Sequence, residues 1–242
     1  MKPNYDDSRI VSDAGFTLIP LHPYDAMVSV KGKKKQAGKR PLDNKWTTKL
    51  YNNVDVPAEA ETSGRNLGVR LTATQLVVDV DPRNFGLTDE AKERLQEPEI
   101  KATLDKNGKP SDATKALMGA SWVEHTLDTP GNPLERLLDD CGMDLADYPR
   151  VETGSGGYHI YMAKPEALSV KDSLPKYPGI EYKSLGRQVV APGSIHPDTG
   201  RHYVAVEDAF ADFKALPEMP QKLSELIGRS RNNQNWSECA RR

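Results

Sequence analysis

Apolar positions change their spacing twice along the chain, and the changes divide it into three stretches. Before residue 84 they come as short β-branched runs. FTLIPL (16–21) reads as a strand stopped by HPYD, and NLGVRLTATQLVVDVD (66–81) reads as two strands around a turn. Residues 4–14 predict a short helix that Gly15 ends. Residues 31–45, KGKKKQAGKRPLDNK, are basic and contain glycine, and read as an exposed loop. From Asn84 to about Tyr148 the period becomes helical. LTDEAKERLQEPE and SDATKALMGASWVEHTL predict helices capped by Thr88 and Ser111, with KNGKPSD as the loop between them. NPLERLLDDCG predicts another, with Asn132 as cap, Pro133 in the first turn and Gly142 as stop. From Tyr148 strands return in RVETG, YHIYMA, GIEYKS, RQVVAPG and HYVAVE, before a last helix over roughly 217–228. Strands, then helices, then short strands predict an α+β fold with antiparallel or mixed sheets, not a βαβ winding. No GxGxxG or GxxxxGK[ST] follows a strand, which counts against Rossmann and P-loop readings.

Composition narrows the classes. The 242 residues allow one large domain or two small ones. A net charge of −2 gives no global basic excess, so any nucleic-acid contact must come from local patches. No run of 18 apolar residues predicts a membrane span, and MKPNYDDSRI has no signal-peptide core. Cys141 and Cys239 lie far apart without metal-type spacing, so a reducing cytoplasm and no structural zinc are expected. The final RSRNNQNWSECARR reads as a linker into a further domain.

Three segments carry candidate chemistry. Asp79 and Asp81 stand at i and i+2, a spacing that points both side chains to one face of a strand. Two neighbouring carboxylates repel, and a divalent cation such as Mg²⁺ or Mn²⁺ resolves this through hard oxygen ligands. The plain alternative is a strand end whose acids cap the turn begun by Pro82. In TGSGGYHIYM (153–162) three glycines and two hydroxyls precede a strand holding His159. Such glycines let backbone N–H groups approach an anion; the alternative is a hairpin turn with a satisfied core histidine. In GIEYKSLGRQVVAPGSIHPDTGRHY (179–203), Glu181 is a lone acid on a strand, Arg187 opens the next strand, and Ser194 and His196 sit in a Pro/Gly-rich turn. These groups fit a metal plus polyphosphate site, or an ordinary surface hairpin.

The order of these segments resembles the prim-pol branch of the archaeo-eukaryotic primase superfamily, found in plasmid, phage and mobile-element replication proteins. The likeness extends to GFTLIPLHP…GKRPLDNKW, to NLGVRLTATQLVVDVDP, to PLERLLDDCGMDLADYPRVETGSGGYHIYM and to the PxSxH-like segment after Glu181. Two positions depart from the pattern: Gly157 stands where a serine is frequent, with Ser155 as substitute, and Glu181 stands where aspartate is common. The zinc-binding stem of some relatives has no cysteines to build it. The resemblance implies an RRM-like catalytic core over residues 1–210 with a helical insertion at 84–130, and a C-terminal helix and linker over 211–242. It implies template-dependent nucleotidyl transfer, as primase, DNA polymerase or both, by a two-metal mechanism in the cytoplasm of a host cell. Asp79, Asp81 and Glu181 would hold two Mg²⁺ or Mn²⁺ ions. His159, Ser155, Arg187, Ser194 and His196 would cradle the NTP or dNTP. Lys39, Arg40, Trp46 and Lys183, with Lys33, Lys34, Lys35, Lys171 and Lys176 as further candidates, would meet single-stranded template and primer. A helicase domain or partner is usual alongside. A metal-dependent nuclease would share the acids without the triphosphate cradle. A DxD nucleotide-sugar transferase would need a Rossmann-like first half, which is missing, and a non-catalytic DNA-binding domain would need a basic excess.

Overall fold

The structure, a computed structural model, describes residues 1–206 and 212–229. Ten strands are described: β1 (Thr17–Pro23), β2 (Met27–Val30), β3 (Lys33–Gln36), β4 (Arg65–Arg70), β5 (Gln75–Val80), β6 (Arg150–Glu152), β7 (Tyr158–Ala163), β8 (Ile180–Lys183), β9 (Gln188–Val190) and β10 (Val204–Ala205). They form a three-stranded sheet in the order β1-β4-β9, a five-stranded sheet in the order β10-β6-β7-β5-β8, and the hairpin β2-β3. Every pairing between named strands is antiparallel, so the fold is α+β. Seven helices accompany them: α1 (Arg9–Asp13), α2 (Asp55–Ser63), α3 (Asp89–Arg94), α4 (Pro98–Lys101), α5 (Asp112–Met118), α6 (Pro133–Cys141) and α7 (Gln221–Ile227).

β5 explains why the two large sheets coexist. Its side chains alternate between faces, as a strand requires. Leu76, Val78 and Val80 pack with Ile160, Met162, Ile180 and Tyr182, under Leu134, Leu137 and Cys141 of α6 and Leu223 and Ile227 of α7. Val77 points the other way, into a second core with Val151, Tyr161 and the apolar side chains of β1, β4 and β9. Phe16 and Phe213 meet Tyr161 edge-on at 5.5 and 5.2 Å. Buried on both faces, β5 reads as a near-continuous apolar run, which is the pattern its sequence shows.

Local signals set the helix boundaries. The Thr88 hydroxyl accepts from Ala91 N at the start of α3, and Ser111 and Thr114 form a reciprocal capping box on α5. Asn132 caps α6 through Leu134 N and Glu135 N, Pro133 opens it, and Gly142 closes it in the left-handed conformation. The 84–130 stretch builds its own small apolar cluster of Ala91, Ile100 and Met118, flanked by Leu87, Leu95 and Trp122.

Several readings change: the helix expected over SDATKALMGASWVEHTL ends at Met118, and LTDEAKERLQEPE is split into α3 and α4. The helix expected over 4–14 is confined to Arg9–Asp13, and the one over 217–228 to Gln221–Ile227. The basic stretch 31–45 is a loop only in part, because Lys33–Gln36 pairs with Met27–Val30 around Lys31 and Gly32, both at positive φ. Two consecutive residues of that sign make the tight turn whose twist matches a hairpin. α2 falls where no element was expected. Of the linker expected over 229–242, residues 230–242, with Cys239, lie outside the described residues. Among the described residues, no helix is long and apolar enough to cross a membrane.

Candidate active site

β7 and β8 flank β5, and their registers bring distant residues into one row. Asp79 stands opposite His159 on one side and opposite Glu181 on the other. Directly opposed residues share a face, so these three side chains emerge together on the side of Val77. The face is apolar around Val77 and Tyr161 and becomes ionic one pleat further along. There it lines a cavity of about 660 Å³ with Lys39, Asp81, Asn84, Ser155, Lys183, Gln188 and Tyr203. This is why a core strand ends in carboxylates: β5 leaves the core at the cavity wall.

Neither aspartate is an unpaired charge. Lys183 lies two residues beyond Glu181 on the same face, and its Nζ is 3.0 Å from Asp79 Oδ2 and 3.0 Å from Glu181 Oε2. Burial pulls the Lys183 ammonium towards neutrality, but the two acids outweigh it and its pKa lies above the ordinary value. Asp81 is gripped by Arg83 through Nε to Oδ1 at 2.9 Å and Nη2 to Oδ2 at 2.8 Å, a bidentate pair. Burial alone would raise the Asp81 pKa, yet the Arg83 hydrogen bonds and charge bring it below the usual carboxylate value. Its Oδ1 also accepts from Arg83 N, capping the 3₁₀ turn Pro82–Asn84. The capping alternative therefore holds for Asp81, alongside its place in the cavity wall.

His159 is buried, with Nε2 3.5 Å from Asp79 Oδ1. Desolvation, only partly opposed by Asp79, pushes its pKa down to about 4, so the ring is neutral at physiological pH. Tyr203 stacks between His159 and His196, with ring centroids 5.6 and 5.9 Å away. The glycines before β7 are sterically required. A Cβ on Gly157 would collide with the Val80 carbonyl oxygen and meet Pro82 Cδ at 2.7 Å, so serine is excluded there. The hydroxyls lie upstream instead. Thr153 Oγ1 accepts from Gly157 N at 3.0 Å and lies 2.9 Å from Ser155 Oγ, and both residues line the cavity. Gly179, at φ +79°, lets its carbonyl accept from Asp81 N at 2.8 Å, which ties the entry to β8 to the end of β5.

The fold thus gathers Asp79, Asp81, His159, Ser155, Glu181, Lys39 and Lys183 around one space. It places other candidates elsewhere. Arg187 pairs with Asp172 at 2.8 Å and lines a separate cavity of about 370 Å³. The Ser194 hydroxyl donates to Leu67 O and accepts from Leu67 N, both at 3.0 Å, joining the segment to β4. His196 is fully buried behind Tyr203, and burial pushes its pKa down to about 4. These three do not line the main cavity. Lys183 and Lys39 face that cavity rather than an outer groove, and Lys39's pKa is lowered by burial and then by Arg83. Lys176 pairs with Asp140 at 2.6 Å, and Lys171 donates to Leu226 O at 3.1 Å. Trp46 packs against the core that holds Val77 and Tyr161, while Lys33, Lys34, Lys35 and Arg40 are exposed. Asn84, Gln188 and Tyr203 were missed as cavity residues: Asn84 follows Asp81 in the 3₁₀ turn, while Gln188 and Tyr203 come from distant segments.

Among the described residues, no cluster of three or more His, Cys, Asp or Glu side chains is close enough to form a ready metal site. The donors nevertheless fit a hard divalent cation. Asp79 and Glu181 already converge on one cation, the Lys183 ammonium, with an oxygen each.

The comparison with known families decides the class. A family model described as bifunctional DNA primase/polymerase, N-terminal, matches residues 9–222. The chain belongs to the prim-pol family. The match covers all of the cavity-lining residues, and membership points to DNA primase/polymerase activity, a nucleotidyltransferase chemistry. No curated protein sequence matches the chain.

Proposed function

We propose that the cavity is the site of template-directed nucleotidyl transfer, and that the prim-pol chain works there as a DNA primase, a polymerase or both. The observation that carries this reading is the row His159–Asp79–Glu181 across three strands, facing a space large enough for a nucleotide. Asp79, Asp81 and Glu181 would hold Mg²⁺ or Mn²⁺, Asp81 after release from Arg83. Such ions, when bound, favour the deprotonated 3′-hydroxyl and offset charge on the transferring phosphoryl group and the leaving pyrophosphate.

The protein's own groups complete the site. His159, neutral and held against Tyr203, donates one hydrogen bond to the incoming triphosphate. Lys39 and the Ser155 hydroxyl face the same phosphates. Lys33, Lys34 and Lys35 on the β2-β3 hairpin, with Arg40, meet the template backbone at the surface, where phosphate neutralisation dominates affinity. The five-stranded sheet serves as the RRM-like catalytic sheet, the 84–130 helices as an added module, and the setting as phage or plasmid replication in a host cytoplasm.

The experiment is extension of a labelled primer on a DNA template with dNTPs or NTPs and Mg²⁺ or Mn²⁺, comparing wild type with Glu181→Gln. Template-dictated products from wild type, lost in the variant, are expected. DNA breakdown without any need for triphosphate would replace this reading with a nuclease.

A further inference from the structure

Lys183 lines the main cavity, and its ammonium rests against the acids of the cavity wall. Its Nζ is 3.0 Å from one oxygen of Asp79 and 3.0 Å from one oxygen of Glu181. The register explains the reach. Lys183 is opposite Val77 on β5, one pleat inward from the Asp79–Glu181 pair, so its long side chain runs along the sheet face and ends between them. Asp79 is only 22% exposed and Lys183 only 23%, so water screens the contact weakly. A divalent ion bridging these carboxylates through the same two oxygens would need the point that the ammonium holds.

We propose that Lys183 is a resident counter-cation that must be displaced before a divalent metal can bridge Asp79 and Glu181, so that metal and nucleotide binding are coupled through its movement. This rests on the metal-binding role proposed above for those acids. A divalent ion bound through the same two oxygens would repel the ammonium at close range and compete with it for their lone pairs, so loading the metal there drives the ammonium away. The cavity in front of it is the nearest place where a negative ligand would receive it. A triphosphate that accepts Lys183 therefore lowers the cost of its departure, and the metal binds better when nucleotide is present. By thermodynamic reciprocity the nucleotide then binds better when metal is present.

The test uses Mn²⁺ as probe, with binding read by electron paramagnetic resonance, with and without a non-hydrolysable dNTP analogue. Wild type is expected to bind Mn²⁺ weakly alone and more tightly with the analogue. Lys183→Met should bind Mn²⁺ alone on the order of tenfold more tightly, equivalent to about 1.4 kcal/mol, and should lose most of the coupling. Lys39→Met removes a charge from the same cavity without touching the acid pair, and should change Mn²⁺ affinity much less. Equal effects of the two lysine variants would mean general electrostatics and overturn the proposal, as would unchanged Mn²⁺ affinity in Lys183→Met. Should Lys183→Met fail to fold, the Lys183 Nζ resonance of ¹⁵N-labelled wild type decides the matter: it must shift as Mg²⁺ is added, and a stationary signal during saturable Mg²⁺ binding contradicts displacement. Asp79→Asn separates the two layers. If it binds Mn²⁺ as wild type does, the metal-site reading itself fails; if it loses Mn²⁺ while Lys183→Met is unchanged, only the displacement fails.

Discussion

Two charge clusters around β8 are mirror images in sign. In the main cavity one cation, Lys183, lies between two acids, Asp79 and Glu181. Beyond the strand one acid, Asp172, lies between two cations, Arg187 at 2.8 Å and Arg229 at 3.5 Å. The surroundings differ more than the geometry. Asp172 and both arginines are more than half exposed; Asp79 and Lys183 are under a quarter exposed, and in that cluster only Glu181, at 63%, is as open. Exposed ion pairs are screened and contribute roughly 0–1 kcal/mol. A partly buried cluster with an excess of one sign keeps its field and selects a ligand of the other sign. On the proposed reading the acid-rich cluster receives a cation, while the arginine-rich one holds a surface turn together.

The comparison breaks most visibly at Asp79. Asp79→Asn should lower primer extension by at least about a hundredfold, the scale for losing one preorganised charge at a reacting centre. The fold should survive, because Lys183 keeps Glu181 as a partner; circular dichroism of the same sample checks this. Extension at the wild-type rate would place the chemistry elsewhere.

His159→Ala should come next. Its bond to a charged phosphate is worth roughly 1.5–3 kcal/mol, which weakens nucleotide binding about 10- to 150-fold at ~1.4 kcal/mol per decade. Titration of dNTP against a fixed primer–template, with DNA affinity measured in parallel, reads this. Lost DNA affinity with unchanged nucleotide affinity would make His159 a template contact.

Acid pH sharpens the same region. His159 and His196 both have folded pKa values near 4, below the ordinary 6.5, because burial opposes their charged forms. Between those values the unfolded chain binds the protons that the folded one refuses. Stability is therefore full above about pH 6.5 and falls as pH drops towards 4, by up to about 1.4 kcal/mol per pH unit for each histidine. Urea unfolding at pH 7, 6 and 5 should show the decline, and His196→Gln should make it shallower. A flat profile would mean that neither ring is buried as described.

Arg187→Ala should do least: under about 1 kcal/mol in unfolding free energy and no change in extension. A collapse of nucleotide affinity in this variant would move the triphosphate to the second cavity and reverse the comparison.

What the sequence discloses follows the range of the interactions. Caps at Thr88, Ser111 and Asn132 were legible because each is a hydrogen bond within three residues. The strand character of β5 followed from its β-branched apolar run, and the shared face of Asp79 and Asp81 from their i, i+2 spacing. α2 escaped notice because its apolar positions are sparse and no side chain caps its start. The β2-β3 hairpin was hidden by its lysines. Less legible was the parting of β4 and β5, neighbours in sequence that join different sheets. The same applies to charge partners. Two crowded carboxylates invite a picture of bare repulsion, yet each aspartate has its own cation, Lys183 or Arg83. Lys183 meets Glu181 along its own strand but reaches Asp79 diagonally across the strand pair, and no linear spacing encodes that register. Ser194 and His196 sit beside Glu181 in motif order, but the backbone of β4 and the ring of Tyr203 claim them.

The central claim is that Asp79 and Glu181 together bind the catalytic metal in the main cavity. Crystals grown with Mn²⁺ and a non-hydrolysable dNTP, measured at the manganese absorption edge, test it most directly. The account predicts an anomalous peak in contact with both carboxylates, the Lys183 ammonium withdrawn from them, and the triphosphate on the His159 side. A protein that extends primers yet shows its only manganese away from Asp79 and Glu181 would contradict it.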